Sequence, residues 1–417
     1  MSNTSFDQLP LSPALLDTLS SLGYTSMTPI QAQSLPHILA GKDVIGKAQT
    51  GSGKTAAFGL GLLHRLDVKR FRVQALVLCP TRELADQVAR EIRKLARGVH
   101  NIKVLTLNGG TPFGPQVGSL EHGAHIVVGT PGRIEEHLRK RNLDLSELNS
   151  FVLDEADRML DSGFQDDLDA IISYLPGERQ NQLFSATYPD KIQAIGKRLM
   201  QDPVVVEVTS THNASSIEQT FYTIDGPDGS DRERRLGALQ RILLQYRPQS
   251  ALVFCNTKKE TDEVANELAT MGFNAAALHG DMDQKDRDRT LVKFANNSNS
   301  VLVATDVAAR GLDIDKLDAV INYHLSRELE VHTHRIGRTG RAGNKGIACT
   351  LFSSKEKYKI DKLADYQGQI IQPEKLPPAS LLKQKGYKAP MVTLQIDGGK
   401  KQKVRAGDIV GALTGEQ

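Results

Sequence analysis

Short strand-like apolar runs alternate with helical patterns along most of the chain. The alternation begins at about residue 40. Its first group of strand-like runs includes Val73–Cys79, Val104–Leu107, Ile126–Val128, Phe151–Leu153 and Gln182–Phe184. Strands that are apolar on both faces and separated by helices are typical of a parallel sheet covered on both sides. The pattern predicts a doubly wound α/β domain at 1–209.

The alternation of strand-like and helical patterns stops at a polar stretch and then resumes. The second group of runs comprises Ala251–Phe254, Ala275–Leu278, Val301–Ala304, Ala319–Ile321 and Gly346–Phe352. We therefore predict a second α/β domain at 218–372, joined to the first by a linker at 210–217. Several prolines then interrupt the pattern, which predicts another linker at 373–390, before a new strand and helix within 391–417.

Composition fits a soluble protein of more than one domain. At 417 residues the chain is too long for one ordinary hydrophobic core. No apolar run approaches the length of a membrane span, and the first ten residues lack a secretory signal pattern. Cys79, Cys255 and Cys349 lie in strand-like runs without metal-site or disulfide spacing. We expect a cytoplasmic protein that acts as a monomer.

Basic charge is concentrated at the end of the chain. Of the formal net charge of +3, residues 373–417 contribute eight Lys or Arg against four acidic residues, a local +4. The remainder is therefore close to neutral. A basic tail of this kind is usually a solvated surface, but it also suits contact with nucleic-acid phosphates.

A glycine-rich loop lies between a strand and a helix. Val44–Gly46 leads into Ala48–Thr55, and a helical pattern follows at Ala56–Leu63. In this context backbone N–H groups and a helix N-terminus can cradle phosphates, while a lysine adds charge and a hydroxyl can bind Mg²⁺. The alternative is a simple glycine-rich turn. The phosphate-binding interpretation assigns nucleotide contacts to Thr50, Gly51, Ser52, Gly53, Lys54 and Thr55, with Thr55 also a metal ligand.

An acidic run follows a buried strand. Asp154–Asp157 comes directly after Phe151–Leu153, and open parallel sheets bind ligands at the carboxyl ends of their strands. Asp154 is suited to hold Mg²⁺, partly through water, and Glu155 to orient and deprotonate the attacking water. Alone, such a run is more often a solvated turn or a helix cap. Its pairing with the Lys54 loop favours the catalytic interpretation.

Several short motifs together resemble one enzyme family. Pro80–Ala85, Thr130–Arg133, Asp154–Asp157 and Ser185–Thr187 resemble, in order and spacing, the motifs of DEAD-box RNA helicases. The resemblance extends from Phe6 to about residue 370. It implies two tandem RecA-like domains with parallel sheets, ATP hydrolysis with Mg²⁺ and binding to RNA. Ala48 fits this family, whose phosphate loop begins with alanine.

The resemblance also assigns an adenine-reading element within 4–32. Phe6 offers a ring for stacking, and Gln31 has both a donor and an acceptor for the adenine edge, so ATP should be preferred to GTP. Without the resemblance, Gln31 would more simply cap its own helix. Asp313 is expected to contact the ribose.

RNA contacts and coupling residues follow from the same resemblance. Hydroxyls, glycines and single arginines suit the RNA backbone more than base edges, so binding should be largely indifferent to sequence. The implied RNA-binding residues are Thr81, Arg82, Gly110, Thr130, Gly132, Arg133, Gln284, Arg287 and Thr305. The residues implied to couple the ATP site to RNA are Asp157, Ser185, Thr187 and His334.

The second domain should complete the catalytic site. Thr305–Asp313 and His334–Arg341 resemble its two signature motifs. Arg338 and Arg341 are spaced for one face of a helical turn, and the resemblance makes them arginine fingers for the γ-phosphate. The alternative is a pair of solvated arginines. The implied mechanism is a cleft that closes on ATP and RNA and locally separates a short duplex.

The end of the chain resembles part of an RNA-binding domain. A predicted strand at Val392–Ile396 and helix at Ala406–Leu413 resemble the start of the RRM-like domain of a bacterial family member directed to large-subunit ribosomal RNA. We expect this domain to be incomplete, and the alternative is a basic tail that docks on the body. The partner implied is large-subunit ribosomal RNA or a pre-ribosomal particle.

Two other functions use the same core. A DNA translocase is disfavoured because Phe6, Gln31 and Asp157 resemble the RNA-specific branch. An RNA clamp that binds ATP but unwinds little stays open, because the presence of catalytic residues does not determine their rates.

Overall fold

The computed structural model describes residues 4–49, 51–208, 217–226, 229–309, 317–326, 328–340 and 346–415. These residues form two compact units, one from the chain up to 208 and one from 217 onward. The strands of the first unit are β1 (Val44–Lys47), β2 (Ala75–Leu78), β3 (Val104–Leu107), β4 (Ile126–Gly129), β5 (Ser150–Asp154), β6 (Gln180–Ser185) and β7 (Val204–Glu207). Those of the second are β8 (Ile217–Thr223), β9 (Ala251–Cys255), β10 (Ala275–Leu278), β11 (Val301–Thr305), β12 (Ala319–Asn322) and β13 (Gly346–Phe352).

Helices connect the strands in both units. In the first unit they are α1 (Pro13–Ser21), α2 (Pro29–Leu39), α3 (Lys54–Arg65), α4 (Arg82–Leu95), α5 (Phe113–Glu121), α6 (Pro131–Arg139), α7 (Ala156–Asp161), α8 (Gln165–Ser173) and α9 (Asp190–Leu199). In the second unit they are α10 (Asp231–Tyr246), α11 (Lys258–Thr270), α12 (Gln284–Ala295), α13 (Asp306–Ala309), α14 (Leu329–Ile336), α15 (Lys357–Gln367) and α16 (Ala406–Thr414).

The first sheet is parallel throughout its described strands, in the order β3-β4-β2-β5-β6-β1-β7. Successive residues of β2 enter different cores: Leu76 and Leu78 pack in one hydrophobic cluster, and Ala75 and Val77 in another. Because neighbouring residues of a strand point to opposite faces, both faces of this sheet are covered. The predicted parallel α/β architecture is confirmed for this unit.

The second sheet is also parallel in its described strands, in the order β10-β11-β9-β12-β13-β8. Its edge strand β8 was not predicted, because it directly follows the polar stretch taken as a linker. Ile217–Thr223 nonetheless pairs with β13 over its whole length, from Gly346 to Phe352. The tandem arrangement of two α/β units is therefore confirmed.

Parallel strands bring their carboxyl ends to one edge of a sheet. In the first unit this edge carries the glycine-rich loop after β1, Thr81 after β2, Thr130 after β4, Asp154–Asp157 at the end of β5 and Ser185 at the end of β6. Motifs that lie far apart in sequence are thus placed side by side by the topology alone.

A strap, defined as residues 376–393, lies on the second unit where a linker was predicted. Arg241 donates to the carbonyl oxygen of Leu376 over 3.2 Å. The backbone N–H of Gly386 donates to the carbonyl oxygen of Met271 over 2.9 Å. The hydroxyl of Tyr387 donates to the carbonyl oxygen of Pro248 over 2.8 Å. The strap therefore follows a defined path on the second unit.

The prediction of a strand at Val392–Ile396 is wrong. These residues form neither helix nor strand, and among the described residues no strand pairs with them. A strand needs a partner for its backbone hydrogen bonds. Here Thr393 instead bonds Asn296 and Ser298 through side chains, at 2.7 Å in each case. The helix expected at 406–413 is present as α16. Among the described helices, none combines the length and the apolar composition that a membrane span needs.

Candidate active site

The glycine-rich loop is folded around its lysine. Lys54 is the first residue of α3, only 6% exposed, and its Nζ donates to the carbonyl oxygen of Ala48 over 2.8 Å. Gly53 caps the helix with a φ of +96°, which a side chain would disfavour. A Cβ at this position would also lie 2.6 Å from Nε2 of Gln31. The loop therefore requires glycine at 53 for two independent reasons.

Gln31 uses both ends of its buried amide. Its Oε1 accepts from the backbone N–H of Thr28 over 2.9 Å, which caps α2, and its Nε2 donates to the carbonyl oxygen of Gly53 over 3.1 Å. The helix-capping interpretation is thus correct for the oxygen, and the nitrogen contacts the glycine-rich loop. Phe6 is 4% exposed and lies edge-on to Tyr24, with ring centroids 6.2 Å apart. Both rings line a cavity of about 240 Å³.

The acidic run places two buried carboxylates beside the loop. Asp154 ends β5 and is 2% exposed, and burial raises its pKa, although the charge of Lys54 acts in the opposite direction. Glu155 is 3% exposed and has left-handed backbone angles, φ 54° and ψ 50°. Its Oε2 accepts from Nη1 of Arg158 over 2.7 Å. The candidate base is therefore held by a cation that the sequence did not single out.

The oxygens around this loop fit a nucleotide with a divalent cation. Among the described residues, Oδ1 of Asp154 and Oγ of Ser52 are buried and have no hydrogen-bond partner. Carboxylate and hydroxyl oxygens are the ligands that Mg²⁺ prefers, and hydroxyl and backbone N–H donors suit phosphate oxygens. Thr55, half-buried and adjacent to Lys54, adds a hydroxyl to this set.

Asp157 links the acidic run to the end of β6. Its Oδ2 accepts from the backbone N–H and the hydroxyl of Thr187, over 2.9 and 2.8 Å. Its own N–H donates to Oγ of Ser185 over 3.2 Å. Although burial opposes ionisation, the bonds from Thr187 and Ser185 lower the pKa of Asp157. A charged Asp157 therefore joins two motifs predicted to couple ATP to RNA.

The residues of the first unit that are predicted to bind RNA lie at the same edge of the sheet. Arg82 packs on Gly110, where a Cβ would lie 1.8 Å from its Nη1, and Gly110 has a φ of +72°. The backbone N–H of Gly109 donates to Oγ1 of Thr130 over 3.4 Å. Thr81 caps α4 by accepting from Leu84 over 3.2 Å. The arrangement requires glycine at 110.

Gln116 connects these motifs and was missed in the sequence. It is 8% exposed; its Oε1 accepts from Arg133 over 2.9 Å, and its Nε2 donates to the carbonyl oxygen of Asn108 over 3.0 Å. Arg133 also donates to the carbonyl oxygen of Thr111 over 3.1 Å. Gly132 lies beside Arg133 in the first turn of α6. A lone glutamine on a helix gives no sequence signal of such a role.

The second unit holds its predicted RNA residues on two elements. Gln284 begins α12 and donates to Oδ1 of Asp288 over 2.8 Å. Arg287, one turn later, donates to the carbonyl oxygen of Ala308 over 2.8 Å. Thr305 ends β11 and its Oγ1 accepts from the backbone N–H of Ala308 over 3.4 Å. Arg287 and Thr305 are therefore connected through Ala308, the third residue of α13.

Arg335 fixes the last motif to the preceding one. It is 2% exposed, and its guanidinium binds both carboxylate oxygens of Asp306 over 2.6 and 2.7 Å. It also donates to Oδ1 of Asn322 over 3.1 Å and to the carbonyl oxygen of His324 over 2.7 Å. His334, its neighbour on α14, is half-buried. No local pattern in the sequence distinguishes Arg335 from the other arginines of this motif.

Arg338 is not on a helical face, so that prediction is wrong. α14 ends at Ile336, and Arg338 lies in the following turn, 5% exposed. Glycines on either side explain the break: Gly337 follows the last helical residue, and Gly340 has a φ of +69°. The remaining predicted site residues, Thr50, Asp313 and Arg341, lie outside the described residues.

Comparison with known proteins gives the class. Residues 28–195 match the model of the DEAD/DEAH box helicase family, and residues 234–343 match the helicase conserved C-terminal domain. The chain is 53% identical over 406 residues to the ATP-dependent RNA helicase DbpA of Escherichia coli K12, covering 97% of this chain and 87% of that protein. It is 42% identical over 375 residues to the ATP-dependent RNA helicase CshA of Listeria monocytogenes, covering 90% and 71%.

A solved structure agrees with these matches. Saccharomyces cerevisiae Dbp5 bound to RNA and ADP BeF₃ is 29% identical, with a TM-score of 0.78 over 91% of this chain and 99% of that one. Two helicase domains, each with a parallel sheet, and a phosphate loop beside an acidic run define a nucleotide-dependent helicase. The chain belongs to the DEAD-box family of ATP-dependent RNA helicases, and its two units are RecA-like domains.

Proposed function

We propose that this helicase couples RNA-stimulated ATP hydrolysis to local separation of short RNA duplexes. The observation that carries the proposal is Asp157, a buried acid bonded to both Ser185 and Thr187 beside the predicted catalytic acids. Such a link lets the state of the nucleotide site alter the sheet edge that bears the RNA motifs.

The residues of the first unit have separate tasks in this proposal. Lys54 leaves the carbonyl oxygen of Ala48 to bind the β- and γ-phosphates, and Gln31 and Phe6 select adenine. Asp154 and Thr55 would hold Mg²⁺, which when bound would neutralise developing phosphate charge. Glu155 orients the attacking water and accepts its proton.

Arg338 and Arg341 of the second unit supply positive charge to the γ-phosphate, and Asp313 contacts the ribose. Arg335 is a positioning residue for Arg338, because it anchors α14 to Asp306 over 2.6 Å. Such arginines raise hydrolysis rates strongly in other phosphoryl-transfer enzymes.

RNA binds through its backbone to Arg82, Thr130 and Arg133, and to Gln284 and Arg287. ATP and RNA each favour the same active state, so each raises the affinity for the other. An RNA clamp with little unwinding uses the same residues, and strand separation is what distinguishes a helicase from it.

We further propose a role on large-subunit ribosomal RNA in the cytoplasm, by a monomer. The support is the basic segment 373–417, with a local charge of +4, and helix α16, the element of the resembling segment that is present.

The test is ATP hydrolysis with ribosomal RNA, a hairpin fragment of it, unrelated RNA and DNA of matched length. RNA should stimulate hydrolysis strongly and DNA weakly, and a short RNA duplex should separate only with ATP. Equal stimulation by DNA would contradict the RNA assignment. Hydrolysis without strand separation would support the clamp instead, and equal rates with all RNAs would exclude the ribosomal specificity of this chain.

A further inference from the structure

The loop between α3 and β2 has a composition that the helicase motifs do not explain. Lys69, Arg70, Phe71 and Arg72 place one aromatic ring among three cations. We call Lys69–Arg72 the basic loop. Phe71 is 43% exposed, one of the few large apolar side chains of the first unit to be so, and Lys69 and Arg72 are exposed beside it.

The basic loop is held in one conformation by buried groups. Gln74, 2% exposed, donates from Nε2 to the carbonyl oxygens of Asp67 and Arg70, each over 2.8 Å, and accepts from the N–H of Asp67 over 2.9 Å. His125 bonds the carbonyl oxygen of Val68 over 3.2 Å. A preorganised loop loses little conformational entropy when it binds.

Phe71 is fixed on one side only. Its ring lies edge-on to His125, with centroids 4.4 Å apart, and packs over Gly123, where a Cβ would lie 2.7 Å from Cδ1 of Phe71. The exposed remainder of the ring opens on a shallow cleft of about 500 Å³ lined by Arg70, Phe71, Arg72 and Glu147. A solvent-exposed ring supported in this way can stack on a planar partner.

The charges around the ring favour a phosphate-bearing partner. Arg70 pairs with Glu147 over 3.2 Å and with Asp67 over 3.6 Å. Within the part of the chain that the structure describes, Lys69 and Arg72 make no ion pair. Two uncommitted cations beside an aromatic ring can bind successive phosphates while a base stacks, and the Glu147 carboxylate can accept from a base amino group or a 2′-hydroxyl.

The basic loop lies at the edge of the first sheet opposite the candidate active site. It precedes β2, His125 precedes β4 and Glu147 precedes β5, so all three lie at the amino ends of parallel strands. The phosphate loop and the RNA motifs follow the carboxyl ends. A ligand on the basic loop therefore does not compete with one at those motifs.

We propose that the basic loop is a second RNA-binding site, which takes an unpaired nucleotide with its base on Phe71 and its flanking phosphates on Lys69 and Arg72. The proposal rests on the proposed RNA-dependent activity. A long RNA bound by the helicase motifs can then also bind here, and two linked contacts retain it longer than either alone.

The test compares variants of the whole chain in RNA affinity without nucleotide, measured with a short single strand that reaches one site and a long strand that reaches both. Phe71→Ala should weaken binding of the long strand about fivefold or more. This factor corresponds to the smallest contribution expected from stacking one base on an aromatic ring. Phe71→Tyr should retain it. Arg72→Ala should lower the slope of log affinity against log salt by about 0.7, as for one lost phosphate contact on a single strand.

Lys42→Ala is the matched control. Lys42 is exposed at the same edge of the sheet, three strands from β2 and so about 14 Å away, and its loss removes the same charge without an aromatic neighbour. It should leave affinity and salt slope unchanged. Photocrosslinking of the long strand should map to Lys69–Arg72.

Unchanged affinity in Phe71→Ala together with no crosslink in the basic loop overturns the site. The maximal RNA-stimulated ATPase rate is also measured for each variant. A variant that retains this rate is folded and active, so a loss of its RNA affinity is then due to the basic loop. If the unaltered chain shows no stimulation by RNA, the proposed function fails, while the comparison of Phe71 variants still decides this proposal.

Discussion

The amide nitrogen of Gln31 lies 3.1 Å from the carbonyl oxygen of Gly53, and the amide oxygen of the same side chain caps α2. The element predicted to read adenine and the loop predicted to bind phosphate are therefore one hydrogen-bonded structure. A substitution at Gln31 should therefore also affect phosphate binding by the glycine-rich loop.

Gln31→Glu tests this connection. Glutamate retains the acceptor for Thr28 but places a carboxylate oxygen against the carbonyl oxygen of Gly53, in a position that is 2% exposed. Because a lost hydrogen bond with a buried unpaired group costs roughly 1–3 kcal/mol, the KM for ATP should rise about 5- to 150-fold. Gln245→Glu, on an exposed position of α10, is the control. An unchanged KM would show that Gln31 only caps its helix.

Glu155→Gln should slow turnover strongly while ATP and RNA still bind. Loss of a general base typically lowers the rate by about 10²–10⁴, so kcat should fall by that factor with little change in ATP affinity. Single-turnover hydrolysis and equilibrium nucleotide binding measure the two effects. Hydrolysis at the original rate would remove Glu155 from the proposed role.

Arg158 should contribute to the stability of the first unit. It is 8% exposed and pairs with Glu155 over 2.7 Å. Arg158→Met removes the ion pair of a buried carboxylate, so it should lower the free energy of unfolding of the first unit, by up to about 3–5 kcal/mol. The double variant Arg158→Met with Glu155→Gln should recover part of that loss in denaturant titrations. Equal stability of the single variant and the original chain would contradict this pairing.

Thr187→Val should separate ATP hydrolysis from strand separation. The change removes the 2.8 Å hydroxyl bond to Asp157 and retains the backbone bond of 2.9 Å. Strand separation should fall about tenfold, corresponding to roughly 1.4 kcal/mol, while hydrolysis without RNA changes little. Thr187→Ser retains the hydroxyl and is the control. Equal losses in both activities would argue against a coupling role.

His332 should make the second unit sensitive to acid. It is 1% exposed and stacks on Phe221 with centroids 6.1 Å apart; burial and then the charge of Arg335 lower its pKa to about 4. Because the folded unit binds a proton at His332 less readily than the unfolded chain does, protonation favours unfolding. The free energy of unfolding therefore has its full value above the unfolded pKa of about 6.5 and decreases as the pH falls toward 4. The expected loss is about 3 kcal/mol.

His332→Leu should flatten this pH dependence, measured as the free energy of unfolding of the second unit between pH 7 and pH 4. Among the described residues the ring nitrogens of His332 have no hydrogen-bond partner, so an apolar replacement of similar size should not destabilise the unit at pH 7. An undiminished pH slope in this variant would assign the acid sensitivity to other groups.

Much of the architecture was predictable from local patterns. Strands such as β2 and β4 are apolar on both faces, and this composition is itself a consequence of their position in the middle of a covered parallel sheet. The site edge was predictable for the same reason, because motif residues directly follow such strands. Edge strand β8 has a strand partner on one side and a single bridge to Glu374 on the other. It lies beside a polar stretch and lacks this signal.

The connections within the site were not predictable. Gln116 bonds residues from 5 to 21 positions away, and Arg335 reaches Asp306 at a separation of 29. Such contacts depend on strand order and not on local pattern. The spacing of Arg338 from Arg341 suits one face of a helical turn, but α14 ends at Ile336, directly before Gly337.

The strap limits how far the end of the chain can move. If residues from 373 onward were free, the start of α16 at Ala406 could extend about 115 Å from its attachment. Because the strap is bonded to the second unit as far as Thr393, the free length is only 13 residues, or about 45 Å when fully extended. For a flexible tether the local concentration falls roughly as the −3/2 power of its length, so shortening the tether from about 33 to about 13 residues raises the concentration of α16 near its attachment about fourfold.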